Sequence, residues 1–176
     1  MPDFHGTISD LGGPSANMYR MEGKNKELCK QCKRASCAFP NICKNMDTNH
    51  APLLELYKKA TKIEGINHCF IGSGIRYDLV MHNTGNPEIS NINRQYLEQV
   101  IRHHVSGRFK VAPEHVSDRV LGIMRKPSFK LFKKLTEEFN RINKKYNLRE
   151  QIIPYFISSH PGCEAQDMAE LAIETK

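Results

Sequence analysis

Arg108-Phe109-Lys110-Val111-Ala112, followed at once by Pro113-Glu114-His115, is the stretch on which the fold reading turns. A short apolar, β-branched run that stops at a proline and two ionisable residues reads as a strand delivering polar groups to its carboxyl end. The same layout recurs three times. Gly6-Thr7-Ile8-Ser9 leads into Asp10-Leu11-Gly12-Gly13-Pro14, and His68-Cys69-Phe70-Ile71-Gly72 leads into Ser73-Gly74-Ile75-Arg76-Tyr77-Asp78. Gln151-Ile152-Ile153-Pro154-Tyr155-Phe156-Ile157 leads into Ser158-Ser159-His160-Pro161-Gly162. Helix-period segments separate the runs, at about 52–63, 93–104, 117–124, 128–146 and from 164 onward. Strand–helix alternation of this kind predicts right-handed βαβ crossovers and a parallel sheet of about four strands, an α/β fold. Pro154 would demote a central strand, so its run is expected to start a strand or to lie on an open edge.

The 176 residues, 39% hydrophobic and 26% charged, suit a single domain with its own core. No apolar run approaches the ~20 residues of a membrane helix, and Met1-Pro2-Asp3-Phe4-His5 has no signal-peptide character, so a cytoplasmic protein without a membrane partner is expected. The formal charge of +7 raises the question of nucleic acid. Residues 125–149 hold nine Lys/Arg against two acids, but Leu131, Leu135, Phe139, Ile142 and Tyr146 form one helical stripe there. The lysines and arginines then fall on the solvated side, which is a simpler reading than a nucleic-acid surface.

In parallel α/β folds, ligands lie at the carboxyl ends of strands. Each strand end has an ordinary reading by itself: a tight turn at Gly12-Gly13, a charge at a helix start at Glu114, a β-turn at His160-Pro161-Gly162. Four of them at equivalent positions point to a polar ligand across one rim.

Ser9-Asp10-Leu11-Gly12-Gly13-Pro14-Ser15-Ala16-Asn17-Met18-Tyr19 resembles the segment around the second core strand of YgiQ-type radical S-adenosylmethionine (SAM) proteins. Ile71 to Leu79, Lys110 to His115 and Pro154 to Gly162 resemble strands three, four and five of the same family. The resemblance runs from about residue 4 to the end. It implies an incomplete (β/α) barrel, the central part of a radical SAM core, with the remainder of a parent polypeptide as partner. It also implies roles. Gly12, Gly13 and Pro14 would meet the methionyl amino group, glycine letting the backbone approach. Ser73, Arg76 and Asp78 would sit mid-rim, Glu114 with His115 would face the ribose, and Ser158, His160 and Gly162 would pass the adenine. The cofactors implied are SAM and a [4Fe–4S] cluster in the parent. The family's C-x3-C-x2-C triplet does not occur in these residues, so an internal piece that is inactive alone is expected.

Cys29, Cys32, Cys37 and Cys43 form C-x2-C-x4-C-x5-C in an insertion covering 20–50. Four soft ligands could close around zinc or an auxiliary iron–sulfur cluster, with His50 as a possible replacement ligand; free surface thiols are the alternative. Cys69 reads as core, Cys163 as a helix-start thiol near the rim, and His68 and His104 as structural. The leading expectation is the SAM-binding portion of a radical SAM enzyme of unknown substrate. The alternative is a non-enzymatic Cys-metal module contacting RNA or protein, and a Ser159–His160 hydrolase lacks a third orienting residue.

Overall fold

All four apolar runs form strands, and these pair two by two in parallel. The computed structural model describes residues 3–12 and 16–176. Strand β1 (Thr7–Ile8) pairs with β2 (His68–Cys69), and β3 (Arg108–Glu114) with β4 (Gln151–Phe156). Register runs Thr7 to His68 in the first sheet and Arg108 to Gln151 in the second. The first pair continues past its ladder, Phe70 N–H donating to Ile8 O at 2.8 Å and Leu11 N–H to Phe70 O at 2.8 Å. The structure thus consists of α/β layers with two small parallel sheets.

Helices fill the crossovers. After a 3-10 turn at Ala16–Met18 come α1 (Lys26–Lys30), α2 (Ala51–Ala60), α3 (Tyr77–Met81), α4 (Pro87–His103), α5 (Asp118–Ile123), α6 (Phe129–Tyr146) and α7 (Ala165–Glu174). Helix α4 begins at Pro87 rather than 93, because Asn86 accepts hydrogen bonds from the N–H groups of Glu88 and Ile89 and Pro87 occupies the first turn. Helix α3 was not anticipated: Tyr77, Leu79 and Val80 are all buried, so no one-sided stripe marks it.

Strand β3 buries Phe109, Val111 and Pro113 and exposes Arg108, Lys110 and Ala112. Its buried face packs on α6, where Phe139 stacks on Phe109 with ring centroids 5.6 Å apart. The α6 stripe is Phe129, Phe132, Leu135, Phe139 and Ile142, so Phe132 takes the place expected of Leu131, which is half-buried. The basic side of α6 is partly neutralised: Arg141 pairs with Glu138, Lys145 with Glu98 and Lys133 with Glu174. Tyr57, Tyr96, Leu97 and Ile101 complete the core between α2 and α4. Pro154 sits exposed in β4, a strand paired on one side only among the described residues. No helix of the described residues is long and apolar enough to cross a membrane.

Candidate functional site

The ends of β2, β3 and β4 border a half-open cavity of about 530 Å³. The chain leaving β2 forms one wall with Ser73, Arg76 and Asp78, and β3 forms another with Lys110 and Glu114. Two features bring these walls together. Asp10 Oδ1 accepts from Gly72 N–H at 3.0 Å and from Ser73 Oγ at 3.1 Å, tying the ends of β1 and β2. Gly74, at φ +78°, lies so close to β3 that a Cβ would stand 2.5 Å from the Lys110 carbonyl oxygen. Only glycine meets both demands.

Glu114 ends β3 at φ +70°, where the register slips by one residue between Val111 and Glu114. Such a bulge turns a strand end and is common beside ligand sites. Its Oε1 accepts from Lys126 Nζ at 2.7 Å. Arg76 makes a two-point contact with Asp78, Nε to Oδ1 at 3.1 Å and Nη2 to Oδ2 at 2.5 Å. The guanidinium expected to pair with a carboxylate is therefore already paired within the chain.

The backbone at Arg76 is held from behind. Its N–H donates to Asn17 Oδ1 at 2.7 Å and its carbonyl accepts from Asn17 Nδ2 at 2.9 Å. Because Arg76 N–H must donate, the Asn17 amide orientation is fixed, and Nδ2 donates also to His50 Nε2 at 3.1 Å. His50 then carries its proton on Nδ1 and donates to Asn93 Oδ1 at 2.7 Å. Burial lowers the His50 pKa to about 4, against the opposing pull of the Asn93 hydrogen bond. Both ring nitrogens are occupied, so His50 does not serve as a replacement metal ligand in this arrangement.

Ser73, Arg76 and Glu114 thus share one cavity, and the other expected contacts lie elsewhere. Gly12 is exposed and does not line it; Gly13 and Pro14 lie outside the described residues. His115 is fully buried and turns inward: Nδ1 accepts from Ser117 N–H at 3.0 Å, leaving Nε2 to face Cys163 Sγ at 3.8 Å. It is held by the interior and does not flank Glu114 on the rim. Burial also lowers its pKa. Ser158 is exposed, and Gly162 (φ +90°) packs toward Ile123; neither lines the cavity. His160 is half-buried outside it, its Nδ1 without a partner among the described residues. β4 contributes Tyr155 instead.

Cys29, Cys32 and Cys37 are exposed and Cys43 half-buried, all as free thiols. Among the described residues no three His, Cys, Asp or Glu side chains are grouped so as to hold a metal ion. Two sulfurs do accept hydrogen bonds, Cys29 from Asn45 Nδ2 at 3.2 Å and Cys32 from Arg34 N–H at 3.4 Å. Cys69 and His104 are core residues, His104 Nδ1 meeting the Cys69 carbonyl oxygen at 2.7 Å. Sequence reading missed Asn17, Lys110, Arg125 and Lys126. Arg125 and Lys126 sat within a basic stretch that read as solvated surface, Lys110 was read only as a strand residue, and Asn17 had no motif beyond its place after the glycines.

No known family profile matches the chain, and no solved structure matches it. Curated relatives do. A UPF0313 protein of Bacteroides thetaiotaomicron is 57% identical over 176 residues, covering 100% of this chain and 28% of the relative. One from Porphyromonas gingivalis is 54% identical over the same span, again 28% of its length, and one from Methanosarcina mazei is 40% identical over 171 residues, 26% of its length. The chain spans about a quarter of the length of these relatives. Over essentially all of its residues, then, it is similar to one segment of the larger proteins named UPF0313.

Proposed function

We propose that this segment forms part of the SAM-binding core of a radical SAM enzyme of the YgiQ type. The single observation that supports it most is the convergence of Ser73, Arg76 and Glu114 on one cavity beyond the carboxyl ends of parallel strands. These residues suit SAM. Glu114 can accept hydroxyl protons of the ribose while Lys126 holds its carboxylate in place, and Ser73, whose hydroxyl proton goes to Asp10, can accept at the rim. Arg76 can turn one face to the methionyl carboxylate while Asp78 fixes the other. SAM, when bound and reductively cleaved, supplies the radical chemistry. The chain lacks the C-x3-C-x2-C ligands of the catalytic cluster, so no step of cluster chemistry is assigned to its residues.

The test uses a full-length polypeptide carrying this segment, anaerobically reconstituted with iron, sulfide and a reductant. It should release 5′-deoxyadenosine from SAM. Glu114→Ala and Arg76→Ala should each weaken SAM binding by about tenfold, the effect of losing one charge-assisted hydrogen bond. Unchanged binding and cleavage in both variants would remove these roles.

A further inference from the structure

The cavity carries more positive charge than its own acids neutralise. Arg76, Lys110, Arg125 and Lys126 line it, against Asp78 and Glu114. Asp78 takes Arg76 and Glu114 takes Lys126. Lys110 and Arg125 have no carboxylate within 4.0 Å among the described residues. They come from different elements and face the same space. Lys110 extends from the open face of β3, opposite the buried Phe109 and Val111. Arg125 follows α5 at φ +56°, a left-handed position where glycine is the usual choice. An arginine kept there at the cavity edge retains a charge at the expense of backbone ease.

We infer that Lys110 and Arg125 form a subsite for a phosphate group of the substrate, distinct from the contacts assigned above to SAM. Two uncompensated cations from different elements lining one cavity match a dianionic oxyanion. The arginine fork offers two parallel donors and the lysine a compact point charge. The cavity is partly enclosed by protein, where an ion pair is screened less than on open surface. Ser36, from the Cys-rich insertion, borders the same cavity and adds a hydroxyl to its lining. Calling the ligand a substrate rests on the proposed function; the subsite itself does not.

The test is calorimetric titration of inorganic phosphate into the full-length polypeptide, with Lys110→Ala, Arg125→Gly and the double variant. Glycine is chosen at 125 because it relaxes the left-handed backbone while deleting the guanidinium, and thermal melting checks each variant's fold. Lys144→Ala, on the exposed side of α6, is the control. Each cavity variant should weaken phosphate binding about tenfold, the double variant more, and the control not at all. Methionine and SAM should leave phosphate bound. The inference is overturned if phosphate does not bind, if the double variant binds it as the parent does, or if methionine displaces it, since the cations would then serve the methionyl carboxylate. Phosphate binding that persists in a protein unable to bind SAM upholds the subsite and removes the enzymatic reading instead.

Discussion

Acid should unfold this chain in part through one histidine, and the size of that effect follows from its surroundings. His50 is fully buried, its ring centroid 4.4 Å from that of Tyr96, with both nitrogens in hydrogen bonds that suit only the neutral imidazole. Its folded pKa is about 4 against 6.5 for the free side chain, chiefly because burial penalises the charged form. Between those values the unfolded chain binds a proton that the folded chain refuses. The stabilisation is therefore complete above 6.5 and declines as pH falls toward 4. The full difference corresponds to about 3 kcal/mol, of which about 2 kcal/mol is gone by about pH 5. His50→Gln removes the titration while keeping an acceptor for Asn17 and a donor for Asn93. The assay is urea unfolding followed by circular dichroism at about pH 7.5 and pH 5. Burial lowers the pKa values of His82, His104 and His115 too, so the wild type minus variant difference is the quantity to read. The variant should lose about 2 kcal/mol less than the parent between the two pH values. Equal losses would refute the argument that burial holds His50 neutral.

Other expectations follow from the core and the rim. Leu135→Ala, at a fully buried position of α6, should cost about 2–5 kcal/mol in urea unfolding. Gly74→Ala places a methyl group against the Lys110 carbonyl at a left-handed backbone position and should lower stability by about 2 kcal/mol or more, read as a drop in Tm. Asn17→Ala leaves the Arg76 N–H and carbonyl without their partner; a loss of about 2–3 kcal/mol is expected, and an unchanged unfolding midpoint would show that the bracing is dispensable. Thiol titration of the metal-free chain should modify the exposed Cys29, Cys32 and Cys37 rapidly. Cys69, buried and with its pKa raised by burial, should react only on unfolding.

The strands were legible because each runs into a glycine, proline, hydroxyl or charged residue, and Tyr96, Leu97, Val100 and Ile101 recur at helical spacing on α4, with His104 at its cap. Helix α3 was not, since a short helix buried on all sides carries no period. At the rim, the chemistry of Ser73, Arg76 and Glu114 could be read from their positions after strands. Which way a strand-end side chain turns could not. His115 follows Glu114 directly, yet the bulge that aims Glu114 at the cavity leaves His115 pointing into the interior, bonded to Ser117. The free charges of Lys110 and Arg125 depend on where Asp78 and Glu114 are already engaged, and those pairings are set by tertiary packing.

The Cys-rich insertion is mechanically joined to the rim. Its base closes as an antiparallel stem: Gly23 bridges Met46, Lys24 N–H donates to Asn45 O at 2.7 Å, and Asp47 N–H donates to Glu22 O at 2.8 Å. Asn17 precedes this stem and His50 follows it, and the two side chains are hydrogen-bonded to each other. That same Asn17 holds both backbone groups of Arg76. At its far side the insertion reaches the cavity through Ser36. The insertion therefore borders the cavity through Ser36, and its last residue, His50, is bonded to the Asn17 that braces Arg76. Two contacts could carry an effect of thiol oxidation to the site: the Asn17 brace, through His50, and Ser36. Asn17→Ala separates the two connections: it cuts the brace and leaves Ser36 in place. An effect of thiol state on phosphate or SAM binding that survives this substitution would have to pass through Ser36, and one that vanishes would pass through Arg76.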